Sequence, residues 1–146
     1  PYFTNIGKRL VKSPKLYWTD TGVASYLLGL RTWEEAQAAG YAGALLETFV
    51  MMEMQSALEA HLPQARLFFL RSHGGMEIDA VIAHGQRLLP CEIKASATVR
   101  PADARHLRTF IDAESRAKLG LVFYTGDEPK RLASDILAVP MGALLA

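Results

Sequence analysis

The sequence predicts an α/β domain: one long helix, three strands, a second helix and a further strand, in that order. Three observations predict it. The stretch AGALLETFVMMEMQSALEAHL, ahead of Pro63, lacks proline and is apolar around most of its circumference, the pattern of a central helix. Between residues 66 and 95, short apolar runs alternate with turn residues, as in an antiparallel meander. LGLVFYT at 119–125 is apolar almost throughout, as a strand covered on both faces should be.

The elements follow in order. Residues 1–19, PYFTNIGKRLVKSPKLYWT, mix aromatic and basic side chains without a helical period and read as extended chain or a strand pair. Asp20 is placed to cap a short helix, TGVASYLLG, stopped by Gly29. A second short helix starts near Thr32, with Glu34 and Glu35 in its first turn, and Gly40 ends it. The long helix begins near Tyr41, and Pro63 terminates it because proline has no amide N–H and clashes with the preceding turn. RLFFLR at 66–71 is a short strand, and SHGG is a turn shaped by Gly74-Gly75. MEIDAVIA at 76–83 and RLLPCEIKA at 87–95 are strands joined around His84-Gly85. Pro101 suits the first turn of a helix running to about Ala117, with Leu107, Phe110 and Ile111 on its inner side. ILAVP at 136–140 makes a last strand and MGALLA a terminal helical turn. A boundary near residue 40 separates an N-terminal extension, 1–40, from the main domain, 41–146. Trp18 and Trp33 read as packing residues.

With 146 residues, half of them hydrophobic, the chain is large enough to bury a sizeable core. A net charge of +1 supplies no general pull toward nucleic acid or membrane, so a partner of that kind must be met by a local patch. One cysteine, Cys91, excludes a disulfide within the chain and argues against a cysteine metal site; a reducing, cytoplasmic setting fits. No run of eighteen apolar residues offers a membrane span, and nothing resembles a signal peptide. The first residue is proline rather than methionine, which suggests a piece of a longer protein.

The chemistry is concentrated in EIDAVIAHGQRLLPCEIKAS, residues 77–96. Strand side chains alternate, so Glu77, Asp79 and Val81 should share one face, opposite Ile78, Ala80 and Ile82. On the next strand Glu92 and Lys94 share a face, with Cys91, Ile93 and Ala95 opposite. A loop centred on His84-Gly85 sets residue 79 against 90 and 77 against 92, leaving Asp79 diagonal to Glu92, close enough for both carboxylates to reach one cation. Carboxylate oxygens suit Mg²⁺ or Mn²⁺, with Asp79 and Glu92 as ligands. Lys94, beside them, is placed to orient water or neutralise a phosphate. On the long helix Glu47 projects among Val50, Met51, Met54 and Leu58, where a carboxylate needs a cation or donor, so it is a candidate outer ligand. Glu53 projects among apolar neighbours on another side. The same pattern also suits an ordinary half-exposed hairpin, in which Glu92 and Lys94 form a solvated pair of little energetic value. Arg71, His73, Arg100, Arg105, His106, Arg108, Arg116 and Lys118 flank the site in sequence; interspersed Asp103, Asp112 and Glu114 make a solvated face the simpler reading than a phosphate-binding one.

Asp79 followed thirteen residues later by Glu92-Ile93-Lys94, after a helix bearing Glu47, resembles the PD-(D/E)xK restriction-endonuclease-like superfamily, although Ile78 stands where the proline of the motif would be. More closely, PKLYWTDTGVASYLLGL, GALLETFVMMEM, FFLRSHGGMEIDAVI, PCEIKAS and YTGD resemble the domain of unknown function (DUF 4143) found C-terminal to AAA-type ATPase modules. The resemblance implies a restriction-endonuclease-like core. It implies metal ligation by Asp79 and Glu92, a catalytic Lys94 and a helix acid Glu47. It also implies an ATPase module elsewhere in the polypeptide, with residues 1–19 as the tail of a winged-helix-like segment. Consistent with that last point, the chain holds no G-x-x-x-x-G-K-[ST] loop. Glu77 and Ser96 match the family pattern without a defined chemical role. The expected function is metal-dependent cleavage of DNA phosphodiesters; the alternative is a non-catalytic module that docks DNA or protein for the ATPase.

Overall fold

The computed structural model describes residues 14–72 and 75–144. The expectations for Pro1–Ser13, for His73 and Gly74 in the SHGG turn, and for Leu145 and Ala146 at the end of MGALLA lie outside the described residues. Two short helices come first, α1 (Thr21–Leu27) and α2 (Trp33–Ala38). Asp20 caps α1 by accepting hydrogen bonds from the amides of Gly22 and Val23, and Thr32 caps α2 by accepting from Glu35. Both pack on the long helix α3 (Ala42–His61), which stops two residues before Pro63 as expected.

Six strands follow: β1 (Arg66–Arg71), β2 (Glu77–His84), β3 (Arg87–Lys94), β4 (Gly120–Tyr124), β5 (Lys130–Ala133) and β6 (Ile136–Pro140). They form one mixed sheet in the order β1-β2-β3-β4-β6-β5. The first three make the antiparallel meander, and β3, β4 and β6 run parallel. β4 therefore lies inside the sheet, which explains its continuous apolar run. The α4 helix (Arg105–Ala113) follows a 3₁₀ turn at Pro101–Ala104.

Apolar side chains cover both faces. Leu46, Val50, Met51 and Met54 of α3 pack on Ala80, Cys91, Ile93 and Phe123. On the other face Leu107 and Phe110 of α4 pack with Leu70, Ile78, Val81, Leu88, Val122 and Tyr124. Cys91 is fully buried and burial pushes its thiol up, so it acts as a core side chain rather than a nucleophile. After β4, Gly126 lies tight against the Tyr124 ring and the Ala97 carbonyl oxygen; a side chain there would overlap both.

Several expectations are corrected. The second helix ends at Ala113 rather than near Ala117, because the amide of Leu88 donates to the Arg116 carbonyl at 3.1 Å and Ala117 bridges to Leu88. Residues 116–117 are thus drawn to the sheet instead of extending the helix. β5 is an addition to the expected strands: KRLA is a short polar edge strand with no apolar alternation to mark it. Trp18 and Trp33, expected to pack, are 49% and 40% exposed and so are only partly covered, outside the core.

The hairpin register also differs. His84 faces Arg87, so the two-residue turn is Gly85-Gln86, with Gly85 at φ +57° as a type II′ turn requires. A turn one residue later than expected brings Ala80 opposite Cys91 and Val81 opposite Pro90. Asp79 and Glu92 would come next as a facing pair, not a diagonal one, but the ladder stops at Ala80.

Candidate functional site

The end of that ladder is where Asp79 and Glu92 come within reach of each other's charge. Strict alternation predicted Val81 beside Asp79 and Ile78 beside Ala80. Instead Ile78 and Val81 join the same core cluster under α4, and Ala80 joins the cluster under α3. The cause is a bulge. Phe68 pairs with Val81 and Leu70 with Ile78, so two steps along β1 match three along β2. The extra residue falls at Asp79-Ala80, and it turns the Asp79 side chain toward β3. There Asp79 Oδ2 accepts the Ile93 amide at 2.8 Å, taking the place of a strand carbonyl.

β3 supplies the second acid. Leu88, Pro90, Glu92 and Lys94 share the α4 face by alternation, since Leu88 lies in that cluster and Leu89, Cys91 and Ile93 in the other. Pro90 fits a central strand because it stands one residue ahead of the parallel pairing, which begins at Cys91 and Leu121. Glu92 is only 7% exposed. Its Oε1 accepts from the Lys94 ammonium at 2.7 Å, and its Oε2 is buried without a hydrogen-bond partner. Leaving such an oxygen unsatisfied costs about 1–3 kcal/mol, so the geometry calls for a further donor or cation.

Electrostatics set these acids apart. Burial, then the neighbouring Glu92 charge, pushes the Asp79 carboxyl up to about 7, although the Ile93 amide works the other way. Burial also pushes Glu92 up, against the pull of Lys94. Burial alone would lower the Lys94 ammonium, but Glu92 and then Asp79 hold it above its ordinary value.

Glu47 reaches the same neighbourhood from α3. It is half-buried, and its Oε1 accepts from Lys15 at 2.7 Å and from the Tyr17 hydroxyl at 2.8 Å. Lys15 also bonds Glu77 Oε1 at 2.9 Å, and this bond holds the Glu77 carboxyl below the ordinary range. Both Asp79 and Glu92 feel the Glu47 charge. Of the four expected residues, Glu47 thus acts on Asp79 and Glu92, while Lys94 answers to Glu92 and Asp79. Among the described residues, no three Asp, Glu, His or Cys side chains are gathered as a ready cation cage, with ammonium groups beside the acids instead.

Lys15 and Tyr17 join the candidate site through Glu47, although no motif in the sequence marks them. Pro14–Asp20 lie outside any helix or strand, and burial alternates: Lys15 and Tyr17 turn inward, Leu16 and Trp18 outward. The two-residue period of KLYW was the available signal; their target, thirty or more positions away, was not. Glu53 is partly buried on α3 and makes none of these contacts, and the Ser96 hydroxyl donates to the Thr98 carbonyl in the loop after β3.

The flanking cations are mostly engaged. Arg108 pairs with Asp135 at 3.1 Å and Arg116 with Glu114 at 2.7 Å, while Arg71 stands exposed beside Glu77. His106 Nδ1 must donate to the Glu77 carbonyl at 2.9 Å, since a carbonyl only accepts, and Nε2 then accepts from Arg105. That bond ties the start of β2 to α4.

A mixed α/β domain, with six strands and four helices among the described residues and an acid cluster where two strands part, is the class that fold and site define. The chain belongs to the family described as "Domain of unknown function (DUF4143)", which matches residues 42–144. It is 34% identical over 145 residues to the uncharacterized protein Rv2008c of Mycobacterium tuberculosis and to the uncharacterized protein Mb2031c of Mycobacterium bovis. Each alignment covers 99% of this chain but 31% of the relative, so the chain spans about a third of their length. No solved structure matches. Among the described residues no helix is long and apolar enough to cross a membrane.

Proposed function

We propose that this domain is a divalent-metal-dependent DNA phosphodiesterase, nuclease-like in the manner of the PD-(D/E)xK superfamily. The observation that carries the reading is Glu92 Oε2, a buried carboxylate oxygen without a partner, next to Asp79 at the parting of β2 and β3. Asp79 and Glu92 would hold Mg²⁺ or Mn²⁺, with Glu47 behind them; two carboxylates brought together and poorly hydrated fit a hard cation. When bound, that ion would supply Lewis acidity and neutralise charge on a phosphate. Lys94 is fixed by Glu92, so its ammonium is directed rather than free, and can hold a phosphate oxygen or an attacking water. In this reading an AAA-type ATPase module belongs to the remainder of the longer polypeptide, and the cell compartment is the cytoplasm.

Incubation with linear, supercoiled and branched DNA in Mg²⁺ or Mn²⁺ tests the activity. The wild-type chain should cut at least one substrate, by roughly a hundredfold over the Asp79→Ala, Glu92→Ala double variant, the scale of losing directed electrostatic groups. Cutting that equals the double variant's on every substrate would sink the proposal.

A second reading draws on the ammonium groups already paired with the acids: a non-catalytic docking module for DNA or for the parent ATPase. Its signature is absence of Mg²⁺ and Mn²⁺ binding, with and without DNA.

A further inference from the structure

The segment that covers the acids is not part of the domain core. Pro14–Asp20 contribute no strand or helix, yet two side chains of this segment are turned onto the site. Lys15 places one ammonium between Glu47 of α3 and Glu77 of β2, at 2.7 and 2.9 Å. Asp79 feels the charge of Lys15 as well as that of Glu47. The Tyr17 hydroxyl closes on the same Glu47 oxygen. Leu16 and Trp18 are 88% and 49% exposed, so the apolar hold on the segment falls to the Tyr17 ring, which packs against the α3 cluster. Lys15 itself is held only by carboxylates, so it can leave while the Tyr17 ring stays.

We propose that Lys15 is a tethered cation in the ion-binding region, and that a divalent ion enters by exchange with it. The inference rests on the metal-dependent reading above and adds the group that offsets part of the carboxylate charge before loading. An ammonium and a divalent ion seek the same carboxylate oxygens. A divalent ion drawn to Glu47 repels the ammonium that shares this carboxylate, more than in bulk water because both groups are about three-quarters covered. Glu47 therefore cannot keep Lys15 and also serve a nearby Mg²⁺ at full strength. Loading turns Lys15 outward, and Tyr17 loses its carboxylate partner with it. The exchange makes apparent metal affinity lower than the acids alone would give, because the occupying group must first leave.

Trace acylation of the wild-type chain with an amine-reactive ester, followed by mass spectrometry, reads the exchange directly. Calorimetric titration with Mg²⁺ and Mn²⁺ runs alongside, on wild type and Lys15→Met. With saturating Mg²⁺, labelling of Lys15 should rise several-fold while exposed Lys118 and Lys130 stay constant. Lys15→Met should bind roughly tenfold tighter, having lost a nearby positive charge. Heat in Lys15→Met with none in wild type also supports the exchange, since the lysine then blocks the site. If Mg²⁺ binds but Lys15 labelling does not change, the exchange is wrong and the metal site survives. If neither protein binds Mg²⁺ or Mn²⁺, the metal reading falls and the exchange with it.

Discussion

Asp79→Asn is expected to melt higher than wild type at pH 8, by on the order of 5–10 °C, while losing divalent-ion binding. The stability gain follows from linkage. Asp79 has an ordinary carboxyl value of 3.8 when unfolded and about 7 in the fold. Between those values the native state holds more protons than the unfolded one, so stability falls as pH rises from about 4 to about 7. Above pH 7 the folded protein carries a charge that its surroundings resist. A rise of that size corresponds to about 4 kcal/mol, of which relaxation should leave about half or more. At about 2–4 °C per kcal/mol for a domain near this size, that gives the stated rise in melting temperature. Asparagine removes the charge but keeps an oxygen for the Ile93 amide, so the bulge stays anchored. Thermal unfolding at pH 5, 6, 7 and 8 checks the sign: the wild-type decline should flatten in Asp79→Asn. A variant that melts lower at pH 8, or declines in parallel with wild type, would contradict the assignment of strain to Asp79.

Phe110→Ala should destabilise the domain by about 3–5 kcal/mol, near the limit that a domain of ordinary stability survives. Phe110 is fully buried on α4 among side chains from the same sheet face that carries Glu92 and Lys94. Truncation leaves a cavity the sheet cannot close, because its backbone is held by ladders on both sides. Phe110→Leu keeps most of the volume and should cost less than about 1.5 kcal/mol. Chemical denaturation of the two variants makes the comparison. Equal losses in both would show that the site is not tightly packed.

Much of this architecture was legible because it depends on local chemistry. Asp20 and Thr32 are short polar residues one position before their helices; Asp20 accepts from the Gly22 and Val23 amides, Thr32 from the Glu35 amide. Pro63 ends α3 for reasons internal to proline. The alternation of LLPCEIK put Glu92 and Lys94 together and Cys91 and Ile93 opposite, and that holds in β3. The failures all need a partner strand or a distant segment. Gly85 can stand at either place in a two-residue turn, and only pairing with Arg87 decides which. The bulge at Asp79-Ala80 exists only relative to β1, so alternation within β2 could not reveal it, although it is what turns Asp79 toward β3. The Lys15 and Tyr17 contacts with Glu47 span 32 and 30 positions, beyond any periodic signal.

Crystals of the chain soaked in Mn²⁺ and measured for anomalous scattering test the central claim most directly. One strong peak is expected within about 2–2.6 Å of Glu92 Oε2 and of an Asp79 oxygen. A soaked crystal with no peak at these carboxylates, or with manganese held only at surface acids elsewhere, would contradict it.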